Sequence, residues 1–280
     1  MSNAEQVAHW DGAEGAHWAE EQDRYDRMNL RFGDRIIDAV KAQPGEHILD
    51  VGCGNGALSL ALAQRVVPTG SVTGLDISGP MLATATRRAG QAGIENVSFT
   101  SGDAQAHPLE ESRFDAVVSR FGVMFFGDPL SAFSNLARGL RTGGRVVFAC
   151  WRDLLENEWL TVPVLAALAH VPMPQLGTPG APGPFSLADA AQVRALLDGA
   201  DFDDVAIEEM AEPMRMGADV ADTVAFPKRT EMAKTLMAGV TDDAAAAAWK
   251  AVADALLPFA TSDSVVLHGK AWLVTATKRA

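Results

Sequence analysis

Residues 47–57 read His-Ile-Leu-Asp-Val-Gly-Cys-Gly-Asn-Gly-Ala, and this stretch decides the fold. A short apolar run, HILDV (47–51), ends in glycines at 52 and 54, and ALSLALAQRVV (57–67) follows with helical character. Glycine at these positions lets the main chain turn tightly and come close to a ligand. The helix that starts there turns its free N–H groups and the positive end of its dipole toward the same place. A strand passing through a glycine turn into a helix is the opening unit of a wound α/β sheet.

The same rhythm continues outward. SVTGLDI (71–77) predicts a second strand, and residues 79–92 a helix with Ser78 as N-cap and Pro80 in its first turn. NVSFTSGDA (96–104) and FDAVVSR (114–120) predict the third and fourth strands. A helix over 130–141, closed by Gly143-Gly144, leads to a fifth strand, RVVFACW (145–151). Strands alternating with helices at this spacing mean a parallel sheet covered on both faces. Upstream, residues 14–43 predict a helix stopped by Pro44-Gly45, with Leu30, Ile36, Ile37 and Val40 on one face.

After Trp151 the alternation breaks. Residues 152–188 hold an apolar stretch, WLTVPVLAALAHV, and then a Pro/Gly-rich loop, PMPQLGTPGAPGP. Residues 187–200 return to helix, DDVAIEEM (203–210) reads as strand, a second irregular block spans 213–264, and SVVLHGKAWLVTAT (264–277) closes the chain as a long strand. The expected organisation is a single domain, 1–280. Its parts are an N-terminal helical segment (1–43), a core (45–151) and two helical cap insertions (152–188 and 213–264), because the closing strand must return to the sheet.

Composition narrows the function. Of 280 residues, 48% are apolar, enough for a large core, and 36 acidic residues against 23 basic ones give a net charge of −13. That surface repels phosphate backbones, so no nucleic-acid partner is expected. The two cysteines, Cys53 and Cys150, form no CxxC pair and flank no metal-spaced histidines, so neither a disulfide framework nor a metal site is expected. The first 18 residues lack the basic-then-apolar pattern of a signal peptide, and no apolar run reaches the roughly 18 residues of a membrane span. A soluble, cytoplasmic chain acting on a small-molecule substrate is expected, with no membrane insertion and no feature that sets an oligomeric state.

The glycine loop alone leaves two readings open. Gly52-x-Gly54-x-x-Ala57 also fits a dinucleotide fingerprint, hence an NAD-dependent oxidoreductase. Against this, Asp50 ends the first strand, where an acid is awkward beside a pyrophosphate and welcome near a cation. Asp103-Ala104 bring further polar groups to the same rim, and the chain ends without another parallel repeat.

Taken together, ILDVGCGNG (48–56), GLDIS (74–78), SGDAQAHPL (101–109), FDAVVSRFG (114–122) and LRTGGRVVF (140–148) resemble the class I S-adenosylmethionine-dependent methyltransferases, especially the ubiquinone/menaquinone-methyltransferase-like branch. The resemblance covers about residues 45–150. It implies a Rossmann-like three-layer α/β sandwich whose seven-stranded, mostly parallel sheet runs 3-2-1-4-5-7-6 with the last strand antiparallel. It also implies S-adenosyl-L-methionine as cofactor and S-adenosyl-L-homocysteine as product.

On that resemblance, Asp76 accepts the ribose hydroxyls, Ile77 and Met81 pack on the adenine, and Asp103 with Ala104 meets the adenine amino group. Gly52, Gly54 and Asn55 receive the amino-acid end, Asp50 holds its ammonium, and Arg120 and Phe121 contact the methionine portion. Arg120 stands where the quinone enzymes carry a small polar residue. Cys53 is a small loop residue with nothing nearby to activate it. A general base is needed only where the acceptor carries a proton that must leave, and the candidates are His9, His17, His170 and His268. Phe121, Met124, Phe125, Phe126, Trp10, Trp18 and Tyr25 are candidate walls of an apolar acceptor pocket. The N-terminal segment and the 213–264 block are expected to close over the cofactor. Two further readings stay open at this stage: an enzyme using the cofactor without methyl transfer, and a cofactor-binding partner protein.

Overall fold

The central strand β1 (His47–Val51) lies between β2 (Ser71–Asp76) and β4 (Phe114–Arg120), parallel to both, in a computed structural model that describes residues 3–172 and 181–280. Four of its five residues are buried, as a strand covered on both faces requires. β3 (Val97–Ser101) extends the sheet beside β2, and β5 (Leu140–Trp151) beside β4, both in parallel. The closing strand β7 (Val265–Lys278) runs antiparallel between β5 and β6 (Phe202–Gly217). The order is therefore β3-β2-β1-β4-β5-β7-β6, a Rossmann-like sandwich with the expected reversed last strand.

Helices α1 (Asn3–Trp10), α2 (Ala13–Glu20) and α3 (Gln22–Val40) precede β1. α4 (Ala57–Ala63), α5 (Gly79–Ala92) and α6 (Pro129–Gly139) make the crossovers. Ser78 caps α5 and Asp128 caps α6. α7 (Glu158–Ala167) and α8 (Ala190–Gly199) precede β6, while α9 (Val220–Ala225), α10 (Glu231–Met237) and α11 (Asp242–Leu256) separate it from β7. Ala167, Val224, Ala248, Val252 and Leu256 gather with Val265 and Leu267 into an apolar cluster of their own, apart from the main core. Most of the Pro/Gly-rich stretch expected to be a loop, residues 173–180, lies outside the described residues.

Three expectations are corrected. The helical segment is three helices rather than one over 14–43. The buried stripe of α3 is Tyr25, Met28, Phe32, Ile36 and Val40; Leu30 is 56% exposed, because two residues beyond Met28 is about 200° around the helix. β6 continues past Met210 to Gly217 through Pro213, which is tolerated because β6 is an edge strand.

Candidate functional site

The loop after β1 takes its shape from three left-handed glycines, with φ of +65° at Gly52, +52° at Gly54 and +79° at Gly56. A Cβ on Gly52 would stand 2.7 Å from the Cα of Gly122, so the loops after β1 and β4 pass main chain against main chain. The Gly52 N–H donates to the Leu75 carbonyl (2.8 Å), fastening the loop to β2.

Asp76, at the tip of β2, holds the other side of this loop. Its Oδ2 accepts the Gly54 N–H (2.7 Å) and its Oδ1 the Ser78 N–H (2.9 Å). Burial pushes this carboxyl upward, and the N–H groups of Ser78, Gly54 and Ile77 pull it back down. A carboxylate offers about four acceptor positions, so these bonds fix its orientation without exhausting it. The Gly102 N–H donates to the Asp76 carbonyl (2.9 Å), which brings Asp103 to the adjoining strand tip. There the Gln105 main-chain and side-chain N–H groups both bond to Asp103 Oδ1 (3.0 Å each). Ala104 is buried and Ile77 half-buried; Met81 is buried beneath the glycine loop, its sulfur 3.6 Å from where a Gly54 Cβ would stand.

Beneath the loop, Asp50 is buried and accepts the Ser59 hydroxyl (2.5 Å). Burial raises its pKa to about 6 against the pull of Ser59 and of the Arg120 guanidinium. Arg120 lies over Gly33 of α3, and burial lowers its own pKa while Asp26 and Asp50 oppose that. Asp26 ties Arg120 (3.8 Å) to Arg88 (2.6 Å), and Arg88 also donates to the Asn55 carbonyl (2.5 Å). Phe121 is a non-glycine residue at φ +67°, held there by its N–H bond to the Ala149 carbonyl (3.1 Å) and by stacking on Trp151 (3.9 Å between ring centres). Strain of this kind gathers at ligand sites.

The N-terminal helices cover these strand tips. Asp11 Oδ1 accepts the Gly79 N–H (2.8 Å), and Asn55 Nδ2 donates to the Trp18 carbonyl (2.8 Å). Trp18 stacks on Tyr25 (3.6 Å), Trp10 meets Phe125 edge-on (5.0 Å), and Phe226 meets Tyr25 at 5.4 Å. Phe32, Phe121, Trp151 and Trp159 form a second aromatic run. Tyr25, Phe32, Trp151 and Phe226 are buried in the main core together with Met124 and Phe126, whereas Trp18, Phe121, Phe125 and Trp159 are only partly buried against it.

Among the described residues, Glu14 Oε2 and His17 Nε2 of α2 and Asn55 Oδ1 of the glycine loop are buried with no hydrogen-bond partner. An unpaired buried polar group costs about 1–3 kcal/mol, so these atoms fit a polar ligand. His17 sits against Phe226 (5.6 Å) and Tyr25 (6.0 Å). His170 is exposed, as is His268, which is held by Glu158 (3.2 Å). His9 meets Trp10 edge-on.

Sequence reasoning missed Asp26, Arg88, Trp151 and Phe226. The Asp26–Arg88 partners are 62 residues apart, and no local pattern links them. Trp151 had a readable signal, since it ends the strand adjoining the Arg120-Phe121 tip.

The glycine-turned loop, the buried acid at the next strand tip and the sheet order define a nucleoside-cofactor protein of the Rossmann-like type. A protein-family model described as a methyltransferase domain matches residues 48–144. Aklanonic acid methyltransferase of Streptomyces sp. (strain C5) is 33% identical over 158 residues, 53% of this chain and 72% of that protein. Demethylmenaquinone methyltransferase of Staphylococcus aureus is 36% identical over 149 residues, 50% of this chain and only 58% of that protein. The fold is shared with phosphoethanolamine N-methyltransferase 2 of Haemonchus contortus, solved with phosphomonomethylethanolamine and S-adenosylhomocysteine (TM-score 0.62, 19% identity, all of this chain and 61% of that one). The chain belongs to the class I S-adenosylmethionine-dependent methyltransferases. S-adenosylmethionine is the cofactor of this family.

Proposed function

We propose that this chain methylates a small, largely apolar or aromatic organic acceptor in the cytoplasm. The observation that carries the reading is the aromatic cluster beside the strand tips, where Trp10, Trp18, Tyr25 and Phe226 contact one another in turn, the Trp18 carbonyl accepts the Asn55 side chain of the glycine loop, and Phe121 stacks on Trp151. Both curated relatives carry the names of methyltransferases acting on small organic molecules, which supports the same class. No described helix is long and apolar enough to cross a membrane.

The residues fit the cofactor. Asp76, oriented by two main-chain N–H groups, would take the ribose hydroxyls, with Ile77 and Met81 against the adenine and Asp103-Ala104 at its edge. Gly52, Gly54 and Asn55, whose Oδ1 lacks a partner, would receive the amino-acid end, with Asp50, Arg120 and Phe121 bracing it from below. Bound there, the sulfonium supplies an electrophilic methyl group. The chain's own contribution is alignment and the exclusion of water: the aromatic wall orients the acceptor, and α1 and α2 shield the loop. His17 is the candidate positioned to take a proton from the acceptor, because its Nε2 is buried without a partner among the aromatic rings. The test is transfer of radiolabelled methyl from S-adenosylmethionine across a panel of phenols, hydroquinones and aromatic acids. Label in product supports the reading. Tight S-adenosylhomocysteine binding without turnover on any of them overturns it in favour of a binding protein.

A further inference from the structure

A recess opens at the same rim of the sheet, between the first half of α3 and the end of β6. It is a cleft of about 230 Å³ lined by Arg24, Arg27, Arg215, Asp222 and the main chain of residues 216–218. Three guanidinium groups in one recess stand out in a chain of net charge −13. The carboxylates around them are already committed. Asp222 takes Arg24 at 2.8 Å and the Ala218 N–H at 2.9 Å, and Asp263 lies 3.7 Å from Arg215 while its carbonyl accepts from the same side chain (2.6 Å). Arg27 is exposed and has no ion-pair or hydrogen-bond partner among the described residues, and Arg24 Nε is buried without one. Gly217 lets Thr223, Asp222 and Arg24 pack against the main chain at the edge of the cleft, because a Cβ there would collide with Thr223 Oγ1 and stand 2.7 Å from Asp222 Oδ2 and 3.0 Å from Arg24 Nη2.

The recess adjoins the aromatic wall. The Arg24 guanidinium lies 4.1 Å from the centre of the Phe226 ring, which also meets Tyr25, His17 and the Arg229 guanidinium (5.9 Å). At this volume it is smaller than the roughly 300–1,000 Å³ that holds a whole small molecule, but it has room for one charged group of a larger one. Arginine is the side chain suited to planar, two-pronged recognition of a carboxylate.

We propose that this cleft seats the carboxylate of an acidic aromatic acceptor, with Arg27 and Arg215 as its specificity-determining cations. The inference rests on the small-molecule methyltransferase reading and narrows its substrate class. The probes are 3-hydroxy-2-naphthoate and 2-naphthol, which differ by one carboxylate, together with inorganic sulfate. Binding of each is measured by calorimetry to the full chain, to Arg27→Ala, to Arg27→Lys and to Arg27→Ala/Arg215→Ala, with S-adenosylhomocysteine titrated separately.

The naphthoate is expected to bind the wild-type chain at least ten-fold more tightly than the naphthol. Arg27→Ala removes most of that preference, Arg27→Lys restores part of it, and the double variant abolishes it. Equal naphthoate affinity in the wild-type chain and the double variant overturns the proposal. So does sulfate binding with no binding of the naphthoate, which marks a free-anion site, and so does the absence of any arginine-dependent binding at millimolar probe. Both arginines stand outside the cofactor loop, so S-adenosylhomocysteine affinity reports separately. Its loss in the wild-type chain would sink the methyltransferase reading, whereas arginine-dependent naphthoate binding alone tests the cleft.

Discussion

The Gly54 N–H donates to Asp76 Oδ2 at 2.7 Å, so the glycine loop and the tip of β2 are one hydrogen-bonded unit. Asp76→Ala should therefore act twice. It leaves the N–H groups of Gly54 and Ser78 without their acceptor, and it removes the carboxylate proposed for the ribose. Calorimetry should show S-adenosylhomocysteine affinity falling by at least about ten-fold. Asp76→Asn keeps one oxygen and should fall between. Unchanged affinity in Asp76→Ala would refute the assignment of this acid.

The back-to-back passage of Gly52 and Gly122 sets a steric prediction. A Cβ on Gly122 would meet the Gly52 Cα and the Val51 carbonyl oxygen, each at 2.8 Å, and both are main chain that cannot swing aside. Gly122→Ala should destabilise the fold by about 1–3 kcal/mol and weaken cofactor binding with it. Gly90, on an exposed turn of α5 with nothing within 4 Å of a built Cβ, is the control. Gly90→Ala should stabilise by about 0.5–1 kcal/mol, read as a higher Tm.

Asp50 gives a pH dependence. Its pKa of about 6 lies above the usual carboxylate value, so the folded chain holds this proton more tightly than the unfolded one. Its contribution to stability is fully present below about pH 4 and is lost as pH rises through 6. Asp50→Asn should accordingly match the wild type near pH 4 and gain on it between pH 5 and 7, by roughly 1–3 kcal/mol at neutral pH. Chemical denaturation at several pH values measures the gap; a gap that does not change with pH rules the account out.

Cover of the strand tips by α1 and α2 rests on few polar contacts, among them Asp11 to Gly79 and Asn55 to Trp18. S-adenosylhomocysteine should slow proteolysis within residues 3–20, followed by mass spectrometry of the first cleavage products. Equal cleavage rates with and without the ligand would show that these helices do not respond to it.

The alternation of strands and helices was legible because each strand is a short apolar run stopped by glycine or a polar turn, and Ser78 announced its helix by its chemistry. The two acids at neighbouring strand tips could be placed because β2 and β3 are parallel and in register, with Asp76 opposite Ser101. The rest was hidden for physical reasons. Arg24 meets Asp222 across 198 residues of sequence, and only the reversed strand β7 and its partner β6 bring the two together. The orphaned atoms of Glu14, His17 and Asn55 follow from how α2 settles on the loop, which no local spacing encodes.

The separate apolar cluster of the cap helices has an evolutionary consequence. A unit that keeps its own small nucleus, anchored to the sheet through Val265 and Leu267, is expected to accept substitutions at Ala248, Val252 and Leu256 with little effect on the strand tips. Chimeras exchanging residues 240–264 between relatives, which leave Asp222 and Phe226 in place, are expected to keep S-adenosylhomocysteine binding while altering acceptor choice.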